Sequence, residues 1–311
     1  MKHFNFKNSN HLESAICKDI LGHGGFSVVK LFQCKRCHKQ DKCYECNECF
    51  VIKEFTNDLG PCYNKLEMIT KSQLLYNMLL NEYNIGSKLN HENIIKTIDI
   101  DKVSMSLMLE HITGTDFLDY LNINSCKNGK YIITSFYYML HALEYMHDIG
   151  IAHRDIKLEN ILLGEDGKNV KLIDFGQSIE YKKNNKYKYT HDTCGTEGYF
   201  PPEYYRDSKY MPDKVDVWCC GMVLYNIVFD CVPWDYAHSD DEQYVKCHTY
   251  FEKNELEPRI FSSRNYIMNV SNEDINIIDD IFKSVFNLIP SDRITVKELK
   301  EKIAKLSLCI I

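Results

Sequence analysis

The chain has 311 residues, 44% of them hydrophobic, and a formal net charge of −7. That length suits one two-lobed domain or two small ones, and the apolar content supports a large core. The acidic balance, with no basic stripe, speaks against a nucleic-acid partner. No apolar run approaches the ~18 residues needed to span a bilayer.

Residues 1–14 carry no periodic pattern and read as a mobile lead-in. Met1–Asn10 is polar and lacks the apolar segment of a secretory leader, so a cytoplasmic or nuclear protein is expected. In such a reducing compartment the 14 cysteines read as buried hydrophobes or metal ligands rather than disulfides. Cys219, Cys220 and Cys231 lie in apolar runs and are expected in the core. From Ile20 the sequence runs Leu21-Gly22-His23-Gly24-Gly25-Phe26-Ser27-Val28-Val29. Such a turn lets backbone amides approach an anion, and a strand over Val28–Phe32 should follow.

Cys34-x-x-Cys37 and Cys43-x-x-Cys46 come next, about a five-residue centre. Two such pairs can wrap a tetrahedral Zn²⁺ with sulfurs at about 2.3 Å. The gap is shorter than in ordinary zinc ribbons, so a cysteine-rich loop without metal is the competing reading. Phe50–Phe55 alternates as a strand, which makes Lys53 either an edge residue or a buried charge with a partner. Thr56–Leu74 reads as a loop, with a helix resuming near Met68. Two strands follow, Ile94–Ile100 and Met105–Glu110, and Asp116 is placed to cap a helix over Phe117–Leu121.

Tyr131–Met146 is strongly apolar and of helical length. The polar loop after it contains His153, Arg154, Asp155, Lys157 and Asn160, pinned between apolar segments. Asp155 can accept a hydroxyl proton, Lys157 can neutralise a phosphate, and Asn160 can reach a metal. A β-like run, Val170–Ile173, then leads into Asp174-Phe175-Gly176.

These motifs, in this order, resemble the eukaryotic protein kinases over nearly the whole chain: His-Arg-Asp-x-x-x-x-Asn, Asp-Phe-Gly and a glycine-rich loop, here with Ser27 for the third glycine. The resemblance implies an α+β, bilobal fold over residues 15–306. It has an N-lobe to about residue 110, a hinge at 110–113, a C-lobe over 114–306, and a C-terminal stub from 307 to 311. It also implies ATP and Mg²⁺ as cofactors. Residues 21–29 would cover the phosphates, and Lys53 would grip them, paired with Glu82; Glu67 is the rival partner. Leu109 matches the gatekeeper, Glu110 and Ile112 the adenine-facing hinge, and Asp116 a position near the ribose. Asp174 and Asn160 would hold Mg²⁺, and Asp155 would be the catalytic base. Lys157 resembles the serine/threonine-specific subclass, and Thr196 should bridge it to Asp155.

Gly195–Glu203 resembles the end of an activation segment, with Pro201 where alanine is usual. Arg154 would meet a phosphate on that segment, four residues before Thr196, where this chain has Asp192. The expectation is that Asp192 partly replaces the phosphate, with Thr190 and Thr193 as further phosphosites. Asp216 should anchor the catalytic loop, and Arg293 should pair with Glu203. Pro233–Tyr244 resembles the fungal kinases that regulate nutrient permeases and ion tolerance. Glu159 and Asp116 favour a basic residue before the target hydroxyl, while Asn226 argues against a second. The expected partners are protein substrates and ATP, on a monomer. The alternatives are a pseudokinase scaffold, or a signalling module using the cysteine hairpin.

Overall fold

The computed structural model describes residues 15–34, 49–56, 65–123, 128–164, 169–184, 186–253 and 271–309. Two units emerge, one of Met1–Asn90, Ile95–Thr113 and Asp174–Gly176, the other of His91–Ile94, Gly114–Ile173 and Gln177–Ile311.

The first unit is a five-stranded antiparallel sheet with one long helix. Its strands are β1 (Ala15–His23), β2 (Ser27–Cys34), β3 (Cys49–Phe55), β4 (Thr97–Asp101) and β5 (Ser106–Glu110), in the order β1-β2-β3-β5-β4. The expected alternation of β3 is absent from its burial, since every residue after Cys49 is buried. The strand is central and covered on both faces: Phe32, Phe50 and Ile52 cluster together, and Phe55 packs with Leu79 and Leu107. Helix α1 (Lys65–Gly86) begins three residues earlier than Met68, because Lys65, Leu66 and Glu67 are all good helix formers. It ends where a side chain on Gly86 would meet Thr97 Oγ1 at 2.2 Å.

The second unit is mostly helical. It opens with β6 (Gly114–Asp116), α2 (Phe117–Ile123) and α3 (Gly129–Asp148), then β7 (Ile151–Ala152), β8 (Ile161–Gly164) and β9 (Val170–Leu172). β8 lies between β6 and β9 in a three-stranded sheet. Short strands β10 (Ile179–Glu180), β11 (Lys182–Lys183) and β12 (Lys186–Tyr187) follow, and β10 pairs with β7. The remaining helices are α4 (Glu203–Arg206), α5 (Pro212–Phe229), α6 (Glu242–Lys253), α7 (Asn272–Val285) and α8 (Val296–Ile303). α5 is buried on all sides, as a helix through the centre of a core is, and only Asp213 and Asn226 escape full burial. Cys219 and Cys220 lie on it in the core, as expected. Cys231 is only half-buried, because the chain leaves the helix at Asp230 with φ 58° and turns outward.

Ordered structure continues past Leu306. Ser307 donates its amide (2.8 Å) and hydroxyl (2.5 Å) to Asp274, which also forms the capping box of α7 with Ser271, so the packed chain includes a residue assigned above to the stub. Among the described residues no helix is long and apolar enough to cross a membrane.

Candidate active site

The candidate residues fall into two clusters, one in each unit. In the first, β2 and β3 run antiparallel in a register that sets Lys53 opposite Val29, with Leu107 of β5 on its other side. Its side chain is buried, and Nζ donates to both carboxylate oxygens of Glu82 at 2.8 Å and to Asp174 Oδ1 at 3.0 Å. Burial alone would push the lysine toward neutrality. Two carboxylates at contact distance more than offset it, so the Lys53 pKa lies above the ordinary value and the ion pair persists. Glu82 is thus the helical partner of Lys53, while the side chain of Glu67 lies outside the described residues.

Asp174 adopts φ 64°, a strained conformation for a non-glycine residue that recurs at functional sites. Two neighbours hold the turn: Gly176 donates its amide to Asp174 Oδ1 (3.2 Å), and Asn81 Nδ2 donates to Gly176 O (3.1 Å). Phe175 is buried, within 3.5 Å of where a Gly86 side chain would stand. The glycine turn is the tip of the β1–β2 hairpin. Gly24 donates to Ser27 O (2.8 Å) and so closes the turn, which leaves the Gly25 and Phe26 amides for an anion. Leu21, His23 and Phe26 are exposed, Ser27 is buried, and Gly22, Val28 and Val29 are half-buried. Leu109 pairs with Val51 and Thr97. Glu110 accepts the Lys96 amide (2.7 Å) and donates its own to Lys96 O (3.0 Å), leading into the half-buried His111 and Ile112.

In the second unit the loop between β7 and β8 is fixed from beneath. Asp216, on α5 and 0% exposed, accepts the amides of His153 (2.8 Å) and Arg154 (2.7 Å) and contacts His147 Nε2 (2.8 Å). That clamp holds Arg154 at φ 65°. Asp155 then stands among three polar neighbours: Thr196 donates to its Oδ1 (2.9 Å), Asn160 Nδ2 donates to its Oδ2 (3.0 Å), and Lys157 Nζ lies 3.2 Å from Oδ2. Lys157 also donates to Thr196 Oγ1 (2.8 Å), which closes the expected bridge. Asn160 uses its nitrogen a second time on Asp155 O (2.7 Å), so its amide oxygen is the atom left to a cation. Gly195 is required beside this loop. Its φ is +99°, and a Cβ there would stand 2.6 Å from Arg154 O. Asp116 Oδ1 caps α2 through the Asp119 amide (2.8 Å), and burial pushes its carboxyl up.

Arg154 turns its guanidinium to the activation segment, with Nη1 donating to both oxygens of Asp192 at 3.0 Å and Nε to Gln177 O at 2.7 Å. Burial opposes ionisation of Asp192, but the Thr190 hydroxyl and Arg154 outweigh it and hold the carboxyl below the usual carboxylate range. Thr190 is only 5% exposed, bridges to Tyr210 through the backbone, and donates its hydroxyl to Asp192. This conformation therefore does not present it as a phosphosite, whereas Thr193 is exposed. Burial pushes the neighbouring Cys194 thiol up to about 11. Arg293 and Glu203 are fully buried together, with two contacts at 2.9 and 3.1 Å.

Three contributors carried no sequence signal. Tyr210 accepts from Arg154 (3.1 Å) and donates to Asp192 O, His147 reaches Asp216, and Asn81 braces Gly176. None belongs to a spaced motif, and each is recognisable only once its partner is placed. Cys37, Cys43 and Cys46 lie outside the described residues, as does the side chain of Cys34. Among the described residues no group of three or more His, Cys, Asp or Glu has metal-binding geometry.

The family profile described as the protein kinase domain matches residues 16–303. The serine/threonine-protein kinase HAL4/SAT4 of Saccharomyces cerevisiae is 29% identical over 239 residues, 74% of this chain and 37% of that protein. The serine/threonine-protein kinase hal4 of Schizosaccharomyces pombe is 28% identical over 307 residues, 94% of this chain and 44% of that one. A third relative, the serine/threonine-protein kinase ppk8 of the same yeast, is 36% identical over 166 residues, 52% of this chain and 32% of its own length. The chain thus spans less than half the length of each of these curated relatives.

Proposed function

The chain belongs to the protein kinase domain family, and from that premise we propose that it transfers the γ-phosphate of ATP to serine or threonine hydroxyls of proteins. The observation that carries this reading is the Asp155 cluster. A carboxylate braced by Thr196, Asn160 and Lys157 can orient an incoming hydroxyl and take its proton. Lys157, already 2.8 Å from Thr196 Oγ1, can offset negative charge on the group in transfer. In the other unit Lys53, kept cationic by Glu82, would bind phosphate oxygens, and the Gly25 and Phe26 amides would face them. The named relatives act on serine and threonine, which supports the same acceptor class here.

Each unit carries an oxygen donor of the kind a hard cation takes, a partly exposed Asp174 carboxylate in one and the amide oxygen of Asn160 in the other. The family resemblance assigns both residues to Mg²⁺, which when bound would supply charge neutralisation at the phosphates. Asp192 supports a further reading, activity without prior phosphorylation, since it already occupies Arg154. It carries less charge than a phosphate, so the replacement is partial. Structural Zn²⁺ on Cys34, Cys37, Cys43 and Cys46 rests on spacing alone, and metal analysis of the purified protein tests it. A monomer in the cytoplasm or nucleus completes the proposal, tested by light scattering and fractionation.

The deciding experiment is radiolabelled transfer from Mg²⁺-ATP to serine and threonine peptides, with phosphatase-treated protein beside the Asp155→Asn variant. Transfer by the first and none by the second supports the assignment. Equal transfer by both removes Asp155 from it, and activity lost on phosphatase treatment removes the role of Asp192.

A further inference from the structure

Between Asp174 and Thr196 the chain carries a basic hairpin that has no part in the chemistry at Asp155. Past β10 it doubles back through β11 and β12, with Asn184 in the left-handed region (φ 50°) at the turn between them. Tyrosines tie this hairpin to the unit. Tyr181 is buried and donates to His147 O (3.3 Å), and Tyr187 donates to Asp213 at the start of α5. The Tyr187 ring lies 5.3 Å from that of Tyr181 and 5.1 Å from that of Tyr189. The same helix α5 carries Asp216, which holds the loop of Asp155. The hairpin is therefore anchored to the helix that anchors the catalytic loop, and through side chains other than its lysines.

Those lysines run against the charge of the whole chain. Residues 179–189 hold Lys182, Lys183, Lys186 and Lys188 against the single acidic Glu180, in a protein of net charge −7. All four are exposed. The register sets Lys183 directly opposite Lys186, and like charges facing each other across two strands cost stability. Among the described residues only Glu180, 3.4 Å from Lys183, forms an ion pair with the hairpin, and Lys182, Lys186 and Lys188 have no carboxylate partner. Lys209 adds a fifth positive charge, its Nζ 5.0 Å from the centre of the Tyr189 ring. An anion set beside the opposed lysines relieves their repulsion, on a hairpin that the tyrosines hold in place.

The side chains say which anion. Lysine is a point charge without the planar fork that arginine offers a phosphate, so it suits carboxylates spaced along a flexible chain. Nucleobases need open aromatic faces, whereas Tyr187 is half-buried against Asp213 and the Tyr189 ring is taken by Lys209. Residues 181–189 include no aliphatic side chain to enter a bilayer, and charge alone anchors a protein weakly to one. We propose that this hairpin docks an acidic stretch of the protein substrate, several glutamates or aspartates in a row, outside the residues that enter the Asp155 site. The proposal rests on the phosphoryl-transfer reading above and adds a determinant of substrate choice to it.

Its test uses one serine peptide in two forms, joined through a glycine-serine linker at either end to a run of glutamates or a run of glutamines. Wild-type protein is compared at low salt with the Lys183→Gln/Lys186→Gln double variant and with Lys186→Glu. Wild type should show a KM roughly tenfold lower for the glutamate form, from two or three exposed ion pairs, with kcat equal for both forms and the difference shrinking as salt rises. Both variants should lose that difference, while kcat and KM on the glutamine form stay at wild-type values. Lys186→Glu gives a second readout: a carboxylate opposite Lys183 turns repulsion into attraction, so its Tm should rise by about 1–2 °C as docking is lost. No difference in wild type, or one that survives in the double variant, overturns the proposal, as does a Lys186→Glu variant no more stable than wild type. Binding to phosphatidylserine vesicles that needs Lys183 and Lys186, with no effect of the glutamate run, overturns it in favour of a membrane. Should wild type transfer no phosphate at all, the phosphoryl-transfer reading is what fails, and docking is then read by fluorescence anisotropy of the labelled peptides. Tighter binding of the glutamate form that weakens in the double variant supports the hairpin, and binding equal in the two proteins, or absent, overturns it.

Discussion

Replacing Asp216 by alanine should loosen the catalytic loop more than any change within the loop itself. The carboxylate is 0% exposed and accepts two backbone amides, from His153 and Arg154, besides its contact with His147. Alanine leaves both amides buried without an acceptor, at about 1–3 kcal/mol each. The expected loss is therefore about 2–6 kcal/mol, a large share of the ~5–15 kcal/mol that holds a typical domain together. Arg154 at φ 65° adds to the effect, because strain of ~1–3 kcal/mol persists only while its surroundings enforce it. Urea unfolding at pH 7 measures the stability term, and phosphoryl transfer at a temperature where both proteins are folded measures the positional one. Asp216→Asn keeps one acceptor oxygen and should fall between wild type and alanine. An alanine variant within 1 kcal/mol of wild type and with full kcat would falsify the claim that this carboxylate holds the loop.

Three further outcomes follow from the same geometry. Gly195→Ala puts a Cβ 2.6 Å from Arg154 O at a φ of +99°, so the segment must shift; kcat should drop at least tenfold, with little change in KM for ATP. Glu203→Ala strands the buried Arg293 and should cost roughly 3–5 kcal/mol in urea unfolding, and a loss under 1 kcal/mol would show that the pair is not needed. The third outcome concerns pH. Asp192 has a folded pKa below its ordinary value of ~3.9, so its contribution is complete above that value and fades as pH falls through the lowered one. The Arg154–Asp192 contact should thus be constant between pH 6 and 8, where a phosphate with its second pKa near ~6 would change charge. If the ratio of wild-type to Asp192→Ala activity varies across that window, the contact is not what Asp192 contributes.

The site was legible in the sequence where its residues are spaced along one short segment. Asp155, Lys157 and Asn160 share a loop, Asp174 opens a turn, and Lys53 sits mid-strand, so local chemistry and order suffice to nominate them. The pairing of Lys53 with Glu82 was readable through the family resemblance, which singled out Glu82 over Glu67 as the carboxylate that a buried lysine needs. The alternation predicted for β3 did not carry over to burial, since a strand's second face is covered or bare according to what packs on it. Thr190 looked like an open hydroxyl until its bridge to Tyr210 placed it under Asp192.

By itself, then, the sequence determined the chemistry: which side chains can move a proton, hold a cation or face a phosphate, and in what order they come. Folding decided what those side chains are bonded to. The bonding of Arg154 to Tyr210, the reach of His147 to Asp216 and the bracing of Gly176 by Asn81 each join residues far apart in the chain through a packed unit. Burial and long-range hydrogen bonds are properties of the assembled core, so no local pattern of letters can encode them one at a time.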